Sequence, residues 1–196
     1  MHISTMMKLM ISGVVLTGVV GLASVGVLAR FTDTDDVTGN LFTAKTISLT
    51  VDDYTAVVSV TDMMPGDVVT APLVVTNAAG SEALRYSISS VATDSGAFDL
   101  KDQLVFTVKT IDVTLPATPC DNFDGTQLYT GDLDSTAGKI VGDSAQGAQA
   151  GDRSLAIGAS ETLCLRVSLP LATGNDYKDT TTTATFTFDA EQTDNN

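Results

Sequence analysis

Residues 184–190 read ATFTFDA, and the alternation is strict: Ala184, Phe186, Phe188 and Ala190 fall on one face, Thr185, Thr187 and Asp189 on the other. A period of two, with aromatic rings on one side and β-branched hydroxyls on the other, marks a strand lying half on a core. The same period recurs upstream. Ile47, Leu49 and Val51 oppose Ser48 and Thr50. Val69, Ala71, Leu73 and Val75 alternate after the turn Met64-Pro65-Gly66-Asp67, and Leu84, Tyr86 and Ile88 alternate with Arg85, Ser87 and Ser89. Leu104, Phe106 and Val108 oppose Thr107 and Lys109; Leu163, Leu165, Val167 and Leu169 oppose Cys164, Arg166 and Ser168. Alternation in so many separate segments predicts half-buried antiparallel strands. No window beyond the leader carries an apolar stripe of helical period over three turns. The fold class is therefore all-β: a single antiparallel two-sheet sandwich, jelly-roll or immunoglobulin-like, of about seven to nine strands.

The sandwich is expected over residues 46–196, interrupted at about 116–158 by an insertion rich in Gly and Asp. Gly125, Gly131, Gly138, Gly142, Gly147 and Gly151 punctuate that stretch, which reads as long loops with one short strand around Leu128-Tyr129. Ahead of the sandwich, residues 30–45 (RFTDTDDVTGNLFTAK) have no clean period and read as an arm. Its scattered apolar residues, Phe31, Val37, Leu41 and Phe42, have no evident core of their own.

The first 29 residues are of another kind. Between Lys8 and Arg30 there is no charge, and the apolar run Met10–Ala29 would make about 30 Å of helix. A secretory signal peptide and a retained membrane anchor both have this length. Gly13, Gly18, Gly21 and Gly26 weaken a permanent helix, and Val27 and Ala29 suit the positions before a cut, so cleavage between Ala29 and Arg30 is the expectation. Contact with a membrane would then come only through an uncleaved leader. The exported body holds two cysteines, Cys120 and Cys164, which in an oxidising compartment are expected to pair as a disulfide.

Composition excludes several chemistries. Lys and Arg number 10 against 24 acidic side chains, a formal net charge of −14, so nucleic acid is not an expected partner. The only His is His2, in the leader. A body without imidazole rules out a Ser-His-Asp triad and His-ligated zinc, and no cofactor is expected. The Asp clusters at 33, 35 and 36, at 121 and 124, and at 132 and 134 are candidate calcium ligands, but none fits an EF-hand and solvated turns account for them. Paired carboxylates serving a glycosidase would lack a Trp platform, since the chain has no Trp. Neither Leu115-Pro116-Ala117-Thr118 nor Leu169-Pro170-Leu171-Ala172-Thr173-Gly174 matches a sorting signal.

What remains is association. The Thr-rich run from Thr180 into residues 184–192 is either a simple final strand or an edge with intermolecular partners. An arm that cannot bury itself can add a strand to a neighbouring subunit. Both ends of the chain resemble the TasA/camelysin family, whose leaders are cut by a SipW-type signal peptidase. The resemblance rests on Phe31, Asp33, Asn40, Phe42, Thr43 and Ala44, on the Pro65-Gly66-Asp67 turn and following strand, and on the closing Asn175, Tyr177 and FTFDAEQ. It implies one of two activities. TasA-like members are secreted jelly-roll proteins that polymerise into biofilm-matrix fibres, the arm of one subunit completing the sheet of the next. Camelysin-like members are described as cell-surface metallopeptidases. The missing imidazole favours the first, a secreted homopolymer subunit of the extracellular matrix or cell surface; a membrane-held monomeric adhesion module is a third reading.

Overall fold

The computed structural model describes residues 47–51, 62–114, 118–134 and 138–194. The leader with its Ala29-Arg30 junction, and the arm with Phe31, Val37, Leu41 and Phe42, lie outside the described residues.

Among the described residues nine strands follow one another: β1 Leu49–Val51, β2 Val68–Asn77, β3 Leu84–Ser95, β4 Val105–Thr110, β5 Gln127–Asp132, β6 Lys139–Val141, β7 Arg153–Leu155, β8 Ser160–Ser168 and β9 Thr181–Gln192. All pairings are antiparallel, in two sheets. The first sheet has the order β1-β2-β8-β4-β5. The second is centred on β3. Strand β9 pairs with β3 along its whole length, from Leu84↔Gln192 to Ser95↔Thr181. Strands β7 and β6 follow one another on the other edge, against Leu84–Tyr86 and Ile88–Ser89. The all-β two-sheet architecture expected from the alternation is the one observed.

The alternating apolar residues meet between the sheets. Leu73 and Val75 of β2, Leu84, Tyr86 and Ile88 of β3, Phe106 and Val108 of β4, and Leu163 and Leu165 of β8 are all buried in one core. Each such side chain contributes about 1.5–3 kcal/mol by leaving water. Asn77, at the end of β2, is buried with them. Its Nδ2 donates to the carbonyls of Glu82 at 2.8 Å and Ala156 at 3.0 Å, tying two turns together.

The insertion holds more order than its sequence suggests. The expected strand is β5, but β6 and β7 also form there. Each has three residues, too short for a period to show, and each exists because β3 offers it an edge. Gly142, at φ +65°, makes the turn after β6. A Cβ there would come within 2.6 Å of Asp152 Oδ1. Nearer its start the insertion is stapled to β8 by a Cys120–Cys164 disulfide with an S–S distance of 2.07 Å.

The strands define two ends. At the proximal end lie Leu49 opposite Asn77, the turns 78–83 and 156–159, and the 111–126 loop. The chain preceding Ile47 joins the body here: Ser48 N–H donates to Ser81 Oγ at 3.0 Å and Ala78 N–H to the Ser48 carbonyl at 2.9 Å. At the distal end lie the turn 62–67 and the loops 96–104 and 169–180.

Candidate functional site

Thr181–Gln192 forms a strand because β-branched and aromatic residues fill it and no Pro or Gly interrupts it. Its inward residues reach the core: the Phe186 ring centroid is 5.1 Å from that of Phe106, and that of Phe188 is 6.3 Å from that of Tyr86. Yet Ala184, Phe186, Phe188 and Ala190 are only half-buried, whereas their partners Ala92, Ile88 and Tyr86 on β3 are buried. The difference arises from position in the sheet. Among the described residues no strand pairs with the outer edge of β9, so its inner face lacks cover on that side. The edge is also unguarded. From Thr181 to Phe188 it carries no charge, no Pro and no bulge against β3, the devices that normally keep a long edge from pairing with another chain.

The aspartates do architectural work. Asp112 is buried, and its carboxylate accepts the backbone N–H groups of Asn122 at 2.7 Å and Asp124 at 3.0 Å. Asp124 in turn accepts Val113 N–H at 2.7 Å and the Thr114 hydroxyl, and these bonds hold its carboxyl below the usual carboxylate range. The loop so shaped places Phe123 over the outer face of β8 and β4, where the Arg166 guanidinium stacks 3.6 Å from its ring centroid and Lys109 Nζ sits 4.8 Å away. Asp121, Asp132 and Asp134 join no metal-holding group, and Asp33, Asp35 and Asp36 lie outside the described residues.

One cluster was not foreseen from the sequence. Glu161 of β8 and Arg153 of β7 form an ion pair at 2.6 Å, and Tyr86 Oη of β3 donates to the same carboxylate at 2.6 Å. The three join the two sheets through inward polar groups. The register Tyr86↔Arg153 aligns two of them, but no single-strand pattern reveals such a partnership. Burial, reinforced by the Glu161 carboxylate, pushes the Tyr86 phenol far above its ordinary value. The folded state therefore holds this proton where the unfolded chain releases it. The stabilisation is complete below pH 10 and is lost as pH rises above it, by about 1.4 kcal/mol per pH unit. Denaturant titrations from pH 9 to 11 should show this slope, and Tyr86→Phe should lower it.

The family described as Camelysin metallo-endopeptidase matches residues 6–196. The resemblance drawn from the ends of the chain is thus upheld over nearly its whole length. No curated protein matches the chain. A metallo-endopeptidase needs at least three donors around one ion with a position left open. Among the described residues no three His, Cys, Asp or Glu side chains converge. Both cysteines are committed to the disulfide, and the lone imidazole, His2, lies outside the described residues. Among the described residues, then, no donor set fits a catalytic zinc. Among the described residues, too, no helix is long and apolar enough to cross a membrane.

Proposed function

We propose that this chain, which belongs to the camelysin family of secreted and cell-surface proteins, is a structural subunit that polymerises by strand addition into an extracellular or biofilm-matrix fibre. The observation that carries this reading is the outer edge of β9 over Thr181–Phe188: no strand among the described residues pairs with it, it is uncharged, and its core side is only half-covered. A strand added along Thr181–Phe188 would take up the outward backbone groups there and cover Phe186 and Phe188 in one step. The arm, residues 30–45, is the proposed donor, with Phe31, Val37, Leu41 and Phe42 as its apolar plugs. Release of the arm by a SipW-type peptidase cutting between Ala29 and Arg30 would make assembly begin only after export.

Lysines on the solvent face of β9 should block pairing without disturbing the core. Thr183→Lys with Thr187→Lys is expected to raise the concentration needed for polymer formation at least about tenfold, with unchanged melting of the monomer. Polymerisation equal to that of the parent would remove β9 from the mechanism. The family description supports a second reading, a metallopeptidase. That reading requires casein cleavage abolished by a chelator and about one zinc per chain.

A further inference from the structure

The outer face of the second sheet is rich in hydroxyls. On β9, Thr181, Thr183, Thr185 and Thr187 are exposed, and the register sets Ser95, Thr93, Val91 and Ser89 of β3 opposite them. At the level of Ser89 the row runs on to β6, so Thr187, Ser89 and Lys139 lie side by side on three strands. Here the face becomes concave. A groove of about 260 Å³ is floored by Ser87, Ser89 and Val91 and walled by Lys139, Asp143 and Ser144. Ser87 is only 5% exposed, yet neither it nor Ser89 nor Ser144 has a side-chain hydrogen-bond partner among the described residues. A hydroxyl so placed must be met from outside the chain, by water or by a ligand. The wall is held by the chain itself. Asp152 accepts the N–H groups of Asp143 at 3.0 Å and Gln149 at 2.7 Å, and Glu191 accepts that of Gly147 at 3.0 Å.

We infer that this groove binds a neutral glycan, one sugar ring in the groove and the chain continuing over the hydroxyl face of β3 and β9. The lining selects that class. Lys139 is ion-paired with Asp143 and, at the neighbouring end, Arg85 with Glu191, while Asp189 adds a further, exposed carboxylate. The local charge is negative, so nucleic acid, acidic glycans and anionic lipid are repelled. Val91, 62% exposed, is the one large apolar side chain exposed on this face among the described residues, too little for a lipid or an apolar peptide. It is enough to lie against the C–H face of one ring. A serine hydroxyl both donates and accepts, the Lys139 ammonium donates and the Asp143 carboxylate accepts, which matches the mixed donors and acceptors around a neutral sugar. The groove is smaller than the roughly 300 Å³ at which drug-sized sites begin, which suits a single ring. From Ser89 to Ser95 the face runs on for about 20 Å, room for further rings in line. Strand addition uses the edge of β9, whereas a glycan uses the face, so this inference goes beyond the fibre reading and does not depend on it.

The test is affinity electrophoresis of the chain that starts at Arg30, its disulfide intact, loaded below the concentration at which it polymerises. Native gels carry a soluble β-glucan, dextran or galactomannan as neutral probes and polygalacturonate as the anionic one. At least one neutral polymer is expected to slow the protein, and polygalacturonate is not. Ser89→Ala with Ser144→Ala should weaken the retardation about tenfold, two hydrogen bonds being lost. Thr50→Ala, on the other sheet, should leave it unchanged, and thermal melts show that each variant is folded. With the polymer that binds, a short oligosaccharide of the same sugar should shift the amide resonances of Ser87, Ser89, Val91 and Ser144. No retardation by any neutral polymer, equal retardation by polygalacturonate, or undiminished binding by the folded double variant would each overturn the glycan site. None of these results touches the fibre reading, which is tested at the β9 edge.

Discussion

A chain that begins at Ile47 should stay a folded monomer at concentrations where the chain beginning at Arg30 polymerises. Among the described residues, which begin at Ile47, Leu73, Val75, Leu84, Phe106, Leu163 and their neighbours already form one core, so the body is expected to fold without the arm. What is lost is the donor. Phe31, Val37, Leu41 and Phe42 would each contribute about 1.5–3 kcal/mol if buried on a neighbour, and ordering the arm offsets part of this gain. Even about 3 kcal/mol net moves the threshold for assembly by a factor of more than about 100. Sedimentation velocity of the two forms reads this directly. Equal assembly by both would sink the donor arm.

The second large effect concerns stability. Cys120 and Cys164 are 44 residues apart in sequence, and closing a loop of that size should stabilise the fold by about 4 kcal/mol through the unfolded chain. For a domain of this size that corresponds to a melting temperature on the order of 10 °C lower in Cys120→Ala/Cys164→Ala. Cys164 is fully buried, so truncating it also leaves a small void beside Cys120 and Phe123. The loosened loop should release Phe123 from Arg166 and Lys109 while the two sheets stay paired. Circular dichroism melts of oxidised and reduced protein, and of the double variant, measure the change. A shift smaller than about 2 °C would mean that the loop is held by the Asp112 and Asp124 hydrogen bonds alone.

Strand by strand, the sequence was most legible where one face was apolar and the segment long. The alternations at Val69–Val75 and Ala184–Ala190 fall within observed strands, and that at Leu163–Leu169 does so up to Ser168; Leu73, Val75, Leu163, Leu165 and Val167 are in the core, and Ala184, Phe186, Phe188 and Ala190 pack against it. The pattern at Leu84–Ile88 understated β3, which runs on to Ser95 because β9 pairs with it throughout. Strands β6 and β7 were illegible for a related reason: three residues carry no period, and their existence depends on an edge far away in sequence. The open edge of β9 was half-visible. Its Thr-rich start, uncharged from Thr181 to Phe188, is written in the chain, but whether another strand covers it is a property of the sheet order. The Tyr86–Glu161–Arg153 cluster joins three strands, and nothing in any one of them announces it. The absence of imidazole from the body, by contrast, was readable from composition alone and bears on the peptidase reading more sharply than the net charge does.

The most direct measurement of the central claim is amide hydrogen exchange along Thr181–Gln192, comparing the assembled chain that starts at Arg30 with the monomer that starts at Ile47. In an antiparallel ladder the amides of an edge strand alternate between the two sides. In the monomer, those bonded to β3 should be protected and every second one should exchange freely. On assembly the account requires the free set to become protected, by a factor of about 100 or more, as a new strand takes up their bonds. Polymer in which that set exchanges as fast as in the monomer would contradict strand addition at β9.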